Sequence, residues 1–152
     1  MRIFLSLLFV ALSTVAICTR AARGSDDKTV PKITYCELIK HSEKYDDRVV
    51  EVTAIFENGF EKSYLYDDEG CKNGLSKRET WVGFDKSFVM DGDSEEARTN
   101  SKISGFGIWE ITAIGRFKRA QGPQRFGHLG CCRYEFDFMK IVNSEKLSNR
   151  AR

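Results

Sequence analysis

Apolar and polar side chains alternate with a period of two along three stretches of this chain, the signature of a strand with one buried face. In the first stretch Val50, Val52, Ala54 and Phe56 share one side, with Val49, Glu51, Thr53 and Ile55 on the other. In the second, Trp109, Ile111, Ala113 and Phe117 stand opposite Glu110, Thr112, Arg116 and Lys118. The third sets Tyr134, Phe136 and Phe138 against Glu135 and Asp137. Two shorter runs, Glu61 to Tyr66 and Trp81 to Phe84, also read as strands. Asn58-Gly59 is a strong hairpin signal and places a turn between the first two strands. Asp67-Asp68-Glu69-Gly70 marks an acidic turn after the second.

Two short helices are expected around these strands. Thr34 caps a helix over Tyr35 to Lys40, with Glu37 at the capping-box spacing and Leu38 and Ile39 on its apolar side. Asp93 to Arg98 reads as a capped helical turn with acids at its start, and Gly105 and Gly107 end that connection. The fold expected is therefore mainly β: a five-stranded OB-like Greek-key barrel with a short N-terminal helix and a short helix between strands 3 and 4. This domain is placed at residues 33–143, after a flexible lead-in at 25–32 and before a polar C-terminal tail at 144–152. Glu51-Val52-Thr53-Ala54-Ile55 nearly repeats as Glu110-Ile111-Thr112-Ala113-Ile114, which reads as two long strands meeting one half-buried environment.

The first residues follow a different pattern. Met1-Arg2 precedes an apolar run from Ile3 to Cys18, broken only by Ser6, Ser13 and Thr14. One positive charge, an apolar stretch and then small residues match a signal peptide over residues 1–24, cleaved before Ser25 with Ala22 and Gly24 at the −3 and −1 positions; cuts after Ala21 or Cys18 also fit the small-residue rule. The run falls short of the roughly 20 apolar residues a membrane span needs. Ile17, directly before Cys18, is the wrong residue for a lipoprotein anchor. The expectation is an exported protein, periplasmic or extracellular, with no transmembrane anchor in its mature chain.

Export changes the charge balance. The chain has 24 Lys and Arg against 22 Asp and Glu; losing Arg2, Arg20 and Arg23 leaves 21 against 22, a net charge of −1. A near-neutral domain lacks the concentrated basic surface that nucleic acid demands, so nucleic acid is not expected as a partner. Four cysteines remain after cleavage: Cys36, Cys71, Cys131 and Cys132. In an oxidising compartment they most naturally form two bridges, and three connectivities are open.

Cys36-Glu37-Leu38-Ile39, Tyr45-Asp46 before Val49-Val50, the stretch from Asp67 to Cys71, Trp81-Val82 and Gly127-His128-Leu129-Gly130 together resemble a group of small exported bacterial proteins. That resemblance covers residues 33–142 and implies an OB-like fold with no assigned activity. It also implies that Cys36 and Cys71 are a pair tying the N-terminal helix to the barrel. Cys131-Cys132 departs from the pattern, which leaves the role of these two cysteines open.

The candidate chemistry is sparse. Cys131-Cys132 suits a vicinal disulfide of redox function, a bridge to Cys36 or Cys71, or a split between a buried and an exposed thiol able to link two chains. The protein is expected as a monomer or a cysteine-linked dimer. His128-x-x-Cys131 with Cys36 and Cys71 has zinc-like residue types, but no Cys-x-x-Cys pair exists and oxidation removes the thiolates, so no metal site is expected. The acids at Asp91-Gly92-Asp93 and Asp67-Asp68-Glu69 lack calcium-loop spacing. No nucleophile elbow or phosphate-cradling loop is found, so no cofactor and no catalytic residue is assigned. OB-like domains bind through the loops after strands 1 and 4, here Glu57 to Ser63 and Arg119 to Cys132. The second loop holds Arg119, Gln124, Arg125, Phe126 and His128 as candidate binding residues, next to Tyr64, Tyr66, Trp81 and Phe84 on the strands. The function expected is a non-enzymatic binding or envelope-interaction module for a peptide, glycan or protein ligand. A thiol-redox or metal-responsive protein using Cys131 and Cys132 is the first alternative, and a hydrolase the second.

Overall fold

The computed structural model describes residues 29–67, 71 and 80–148. The expected signal peptide, half of the lead-in and part of the acidic turn after Asp67 lie outside these described residues. Strand β1 (Lys32–Thr34) leads into helices α1 (Tyr35–Lys40) and α2 (Ser42–Tyr45). Then follow β2 (Arg48–Gly59), β3 (Lys62–Tyr66), β4 (Thr80–Phe84), α3 (Glu95–Ser101), β5 (Gly107–Arg119) and β6 (Tyr134–Ser148). The chain is mainly β, and the six strands among the described residues form one sheet in the order β1-β2-β3-β4-β6-β5 with a further β2–β5 pairing. Among the described residues, no helix is long and apolar enough to cross a membrane.

Alternation along the strands sorts the core. Val50, Val52, Ala54 and Phe56 from β2, Trp109, Ile111, Ala113 and Phe117 from β5, and Tyr134, Phe136 and Phe138 from β6 are all buried. Leu65, Val82, Leu38, Ile39 and Ile103 belong to the same cluster. Ile55 and its cross-strand partner Tyr66 are buried as well, so the simple alternation lapses there. Gly115, between Ala113 and Phe117, is required by packing: a Cβ there would overlap the Phe136 ring and the Asp137 carbonyl.

The two near-identical segments lie against each other. In the antiparallel β2–β5 pair, Glu51 faces Ile114, Thr53 faces Thr112 and Ile55 faces Glu110. The pairing is thus centred on Thr53 and Thr112, whose hydroxyls are 3.0 Å apart. Threonine pairs of this kind stabilise cross-strand contacts on a solvent-facing surface.

Helix α1 starts as its sequence suggests, with the Thr34 hydroxyl accepting from the Glu37 N–H at 3.2 Å. The Glu37 carboxylate turns away from the cap and accepts from the Tyr45 hydroxyl at 2.9 Å, joining α1 to α2. Tyr35 reaches further, its hydroxyl 2.8 Å from that of Thr80 in β4. Cys36 and Cys71 stand at disulfide-bonding distance with Cα atoms 5.3 Å apart, which fastens α1 to the chain after β3. Helix α3 packs on β6 through fully buried Asn100, whose side chain accepts from Ile141 N–H (2.9 Å) and donates to the Val89 carbonyl (2.8 Å). Ile141 lies where the β5–β6 register shifts between Thr112 and Ala113.

Three boundaries differ from the sequence reading. The hairpin turns at Phe60-Glu61 rather than at Asn58-Gly59, because Gly59 still pairs with Lys62 in the ladder. Asn58 is held in the strand: it lies opposite Gly107, and its amide donates to the Gly105 carbonyl at 3.2 Å. Lys32, placed in the lead-in, belongs to a sixth strand; β1 pairs parallel to Glu51, Val52 and Thr53, a contact too short to leave a periodic pattern. The tail expected from residue 144 is also strand as far as Ser148, because β5 is long enough to pair with it down to Ile108.

Candidate functional site

The β5–β6 connection, residues 120–133, holds most of the candidate binding residues. It is a structured loop. Phe126 and Cys132 form an isolated antiparallel bridge, Phe126 N–H to the Cys132 carbonyl at 2.9 Å and the return bond at 3.1 Å. Ala120 N–H donates to the Arg133 carbonyl at 2.8 Å, closing the base of the loop. At its tip, Gly127 has φ +75° and lies flat on the Trp81 indole, where a Cβ would overlap the ring. Glycine alone meets both conditions, positive φ and close approach. Trp81 in turn packs edge-on against Tyr64, with ring centroids 5.7 Å apart.

His128, next to Gly127, carries the loop to the β2–β3 turn. Its Nε2 is 4.0 Å from the Glu61 carboxylate. The two loops named from sequence are therefore neighbours, above a floor of Tyr64 and Trp81. Each also raises one bare apolar side chain into solvent, Phe60 at 78% exposure and Leu129 at 91%. Neither residue stood out in the sequence, because a single apolar residue in a polar loop has no periodic signal.

The sequence candidates do not converge on one point of this loop. Arg119 and Arg125 line a pocket of about 190 Å³ together with Ser42, Gly122, Arg133 and Tyr134. His128 stands apart at the Glu61 contact, Phe126 is half-buried in its bridge, and Gln124 is exposed. Arg133 went unnoticed as a candidate because it follows the two cysteines, outside the polar run. Ser42 comes from α2, far away in sequence, and no local pattern links it to the loop.

The pocket concentrates positive charge. Arg119 donates from Nη1 to the Glu43 carboxylate at 3.2 Å, and its backbone N–H donates to Asp46 at 2.9 Å. Its buried Nε–H has no hydrogen-bond partner. Arg125 donates to the carbonyls of Gly122 (3.2 Å) and Gln124 (2.6 Å), which fix its guanidinium without cancelling its charge. On the neighbouring outer face, Lys118 bridges Glu135 at 3.0 Å and Asp137. The hydrogen bond to Asp137, then the one to Glu135, raise its ammonium above the usual lysine value against the opposing effect of burial.

The two remaining cysteines sit at the end of the loop. Cys132 is fully buried and Cys131 exposed, yet their sulfurs lie against each other. Neither joins Cys36 or Cys71, which are paired together. The Cys131 sulfur also lies 3.8 Å from the Phe126 carbonyl oxygen. Among the described residues, the one grouping with metal-ligand types is Cys36, Asp67 and Cys71. With both of its sulfurs in a bridge, that group has no thiolate to offer. His128 is not among its members.

No family model, curated protein or solved structure matches this chain.

Proposed function

We propose that the protein is an exported binding module whose ligand is held by the β2–β3 turn and the β5–β6 loop. The contact between His128 and Glu61 carries this reading, because it sets the two loops side by side over Tyr64 and Trp81. The exposed Phe60 and Leu129 at the loop tips supply the apolar anchors that recognition surfaces rely on. The fold reading behind it is an OB-like barrel of β2 to β6. In its support, the pairings run β2–β3–β4–β6–β5 and return to β2, and β4 and β6 are parallel. Loops in these positions are where that architecture binds ligands. The export reading rests on residues 1–24, and the likeness to small exported bacterial proteins rests on the short motifs within residues 33–142.

A double variant tests the binding surface. Phe60→Ser with Leu129→Ser alters only exposed side chains and is expected to change stability by less than about 0.5 kcal/mol per site. The partner recovered by the wild-type protein from an envelope extract is expected to be lost. Full recovery by the double variant would move the site elsewhere.

A second reading, thiol redox chemistry, draws on the facing sulfurs of Cys131 and Cys132 and the exposure of Cys131. It expects a dithiol/disulfide couple that Cys132→Ser abolishes, read by thiol labelling in graded redox buffers. Labelling of Cys131 that does not vary with the buffer potential would remove this reading.

A further inference from the structure

The arginine pocket beside the loop is a separate feature from the Phe60–Leu129 surface. Its lining holds Arg119, Arg125 and Arg133 and no carboxylate. Glu43 offsets Arg119, while Arg125 meets only neutral carbonyls. Arg133 has no ion-pair partner among the described residues, which leaves two guanidinium charges uncompensated at one small opening. The processed chain has a net charge of −1, so this concentration is local rather than a property of the whole surface.

We propose that this pocket binds a phosphate group. Guanidinium groups present planar forks of N–H donors that match phosphate oxygens two at a time. Two uncompensated charges suit a dianion better than a monoanion. The buried Arg119 Nε–H lacks an acceptor, and Ser42 adds a hydroxyl to the wall. Arg125 is already positioned by its two carbonyl contacts, so little side-chain freedom remains to be lost on binding. At about 190 Å³ the pocket is smaller than the roughly 300–1,000 Å³ typical of sites that enclose a whole ligand. It takes one group, either free phosphate or the phosphorylated end of a larger molecule lying across the loop. The inference rests on the binding reading above and assigns the chemistry of one part of the ligand.

Calorimetric titration of the purified protein at constant ionic strength tests it, with inorganic phosphate and glycerol 3-phosphate as separate probes and chloride as reference. Saturable binding of phosphate is expected. Arg125→Gln and Arg133→Gln are each expected to weaken it roughly tenfold, the usual effect of losing a charge-assisted hydrogen bond. Lys140→Gln, an exposed cation on β6 outside the pocket, should leave it unchanged. Tighter binding of glycerol 3-phosphate supports an esterified ligand, and tighter binding of inorganic phosphate supports the free ion. Absence of saturable binding by either probe overturns the proposal, as does equal weakening by Lys140→Gln. If phosphate fails while Phe60→Ser with Leu129→Ser still abolishes partner recovery, the pocket assignment falls and the binding module stands.

Discussion

Phe138→Ala is expected to lower stability by about 3–5 kcal/mol, the range for deleting a fully buried phenylalanine. Phe138 has no exposed surface and sits where three strands meet, opposite Gly115 in β5 and Phe84 in β4. Its ring lies 5.3 to 6.1 Å from those of Phe56, Phe84, Phe88 and Phe136. Alanine leaves a cavity that these rings cannot close, because Phe136 is already wedged against Gly115. Loss of the aromatic contacts adds to the transfer cost. Urea denaturation should show a lower midpoint with an unchanged slope. Val142→Ala, on the same strand but 45% exposed, should stay within about 0.5 kcal/mol of wild type. A Phe138→Ala midpoint equal to that control would mean the core is not centred here.

The second large effect concerns the staple. Replacing Cys36 and Cys71 together by serine is expected to cost about 4 kcal/mol, the chain-entropy value for a loop of 35 residues. The bridge links α1, which packs Leu38 and Ile39 into the core, to the segment that follows β3. Without it, α1 is held by β1, its own buried face and the Tyr35–Thr80 and Glu37–Tyr45 contacts. A helix of six residues has little stability of its own. Wild-type protein under reducing conditions should melt with the double variant, and non-reducing peptide mapping should recover the Cys36–Cys71 peptide. Coincident melting of oxidised wild type and double variant would show that the bridge contributes nothing.

What the sequence made legible follows from the range of each interaction. The long strands announced themselves because one buried face forces a period of two over many residues. Val50 to Phe56 and Trp109 to Phe117 are such runs. The Thr34 cap was readable because its partner is three residues away. The Asn58-Gly59 signal misplaced the turn, since local turn preference was overridden by Asn58 bonding to Gly105, a contact distant in sequence. β1 escaped notice for a similar reason: three residues are too few for a pattern, and they pair with residues about twenty positions on. The cysteine pairing came from the resemblance, as residue chemistry alone left three connectivities open. Arg119, Arg125 and His128 were visible as polar residues in one loop, but not their division between a pocket and a loop contact. Arg133 and Ser42 reach the pocket only through the fold.

The place of β1 also limits how this chain can be shortened. Along one edge of β2, β3 pairs with Ile55 to Gly59 and β1 with Glu51 to Thr53, while the Pro31 carbonyl accepts from Glu51 N–H at 2.9 Å. β1 therefore covers backbone groups that would otherwise stand open to another chain, as uncovered strand edges do. Any cut that keeps this cover in place must fall upstream of Pro31. The cleavage before Ser25 proposed above respects that limit with six residues to spare, and trimming past Thr34 would turn a protected seam into a site for self-association.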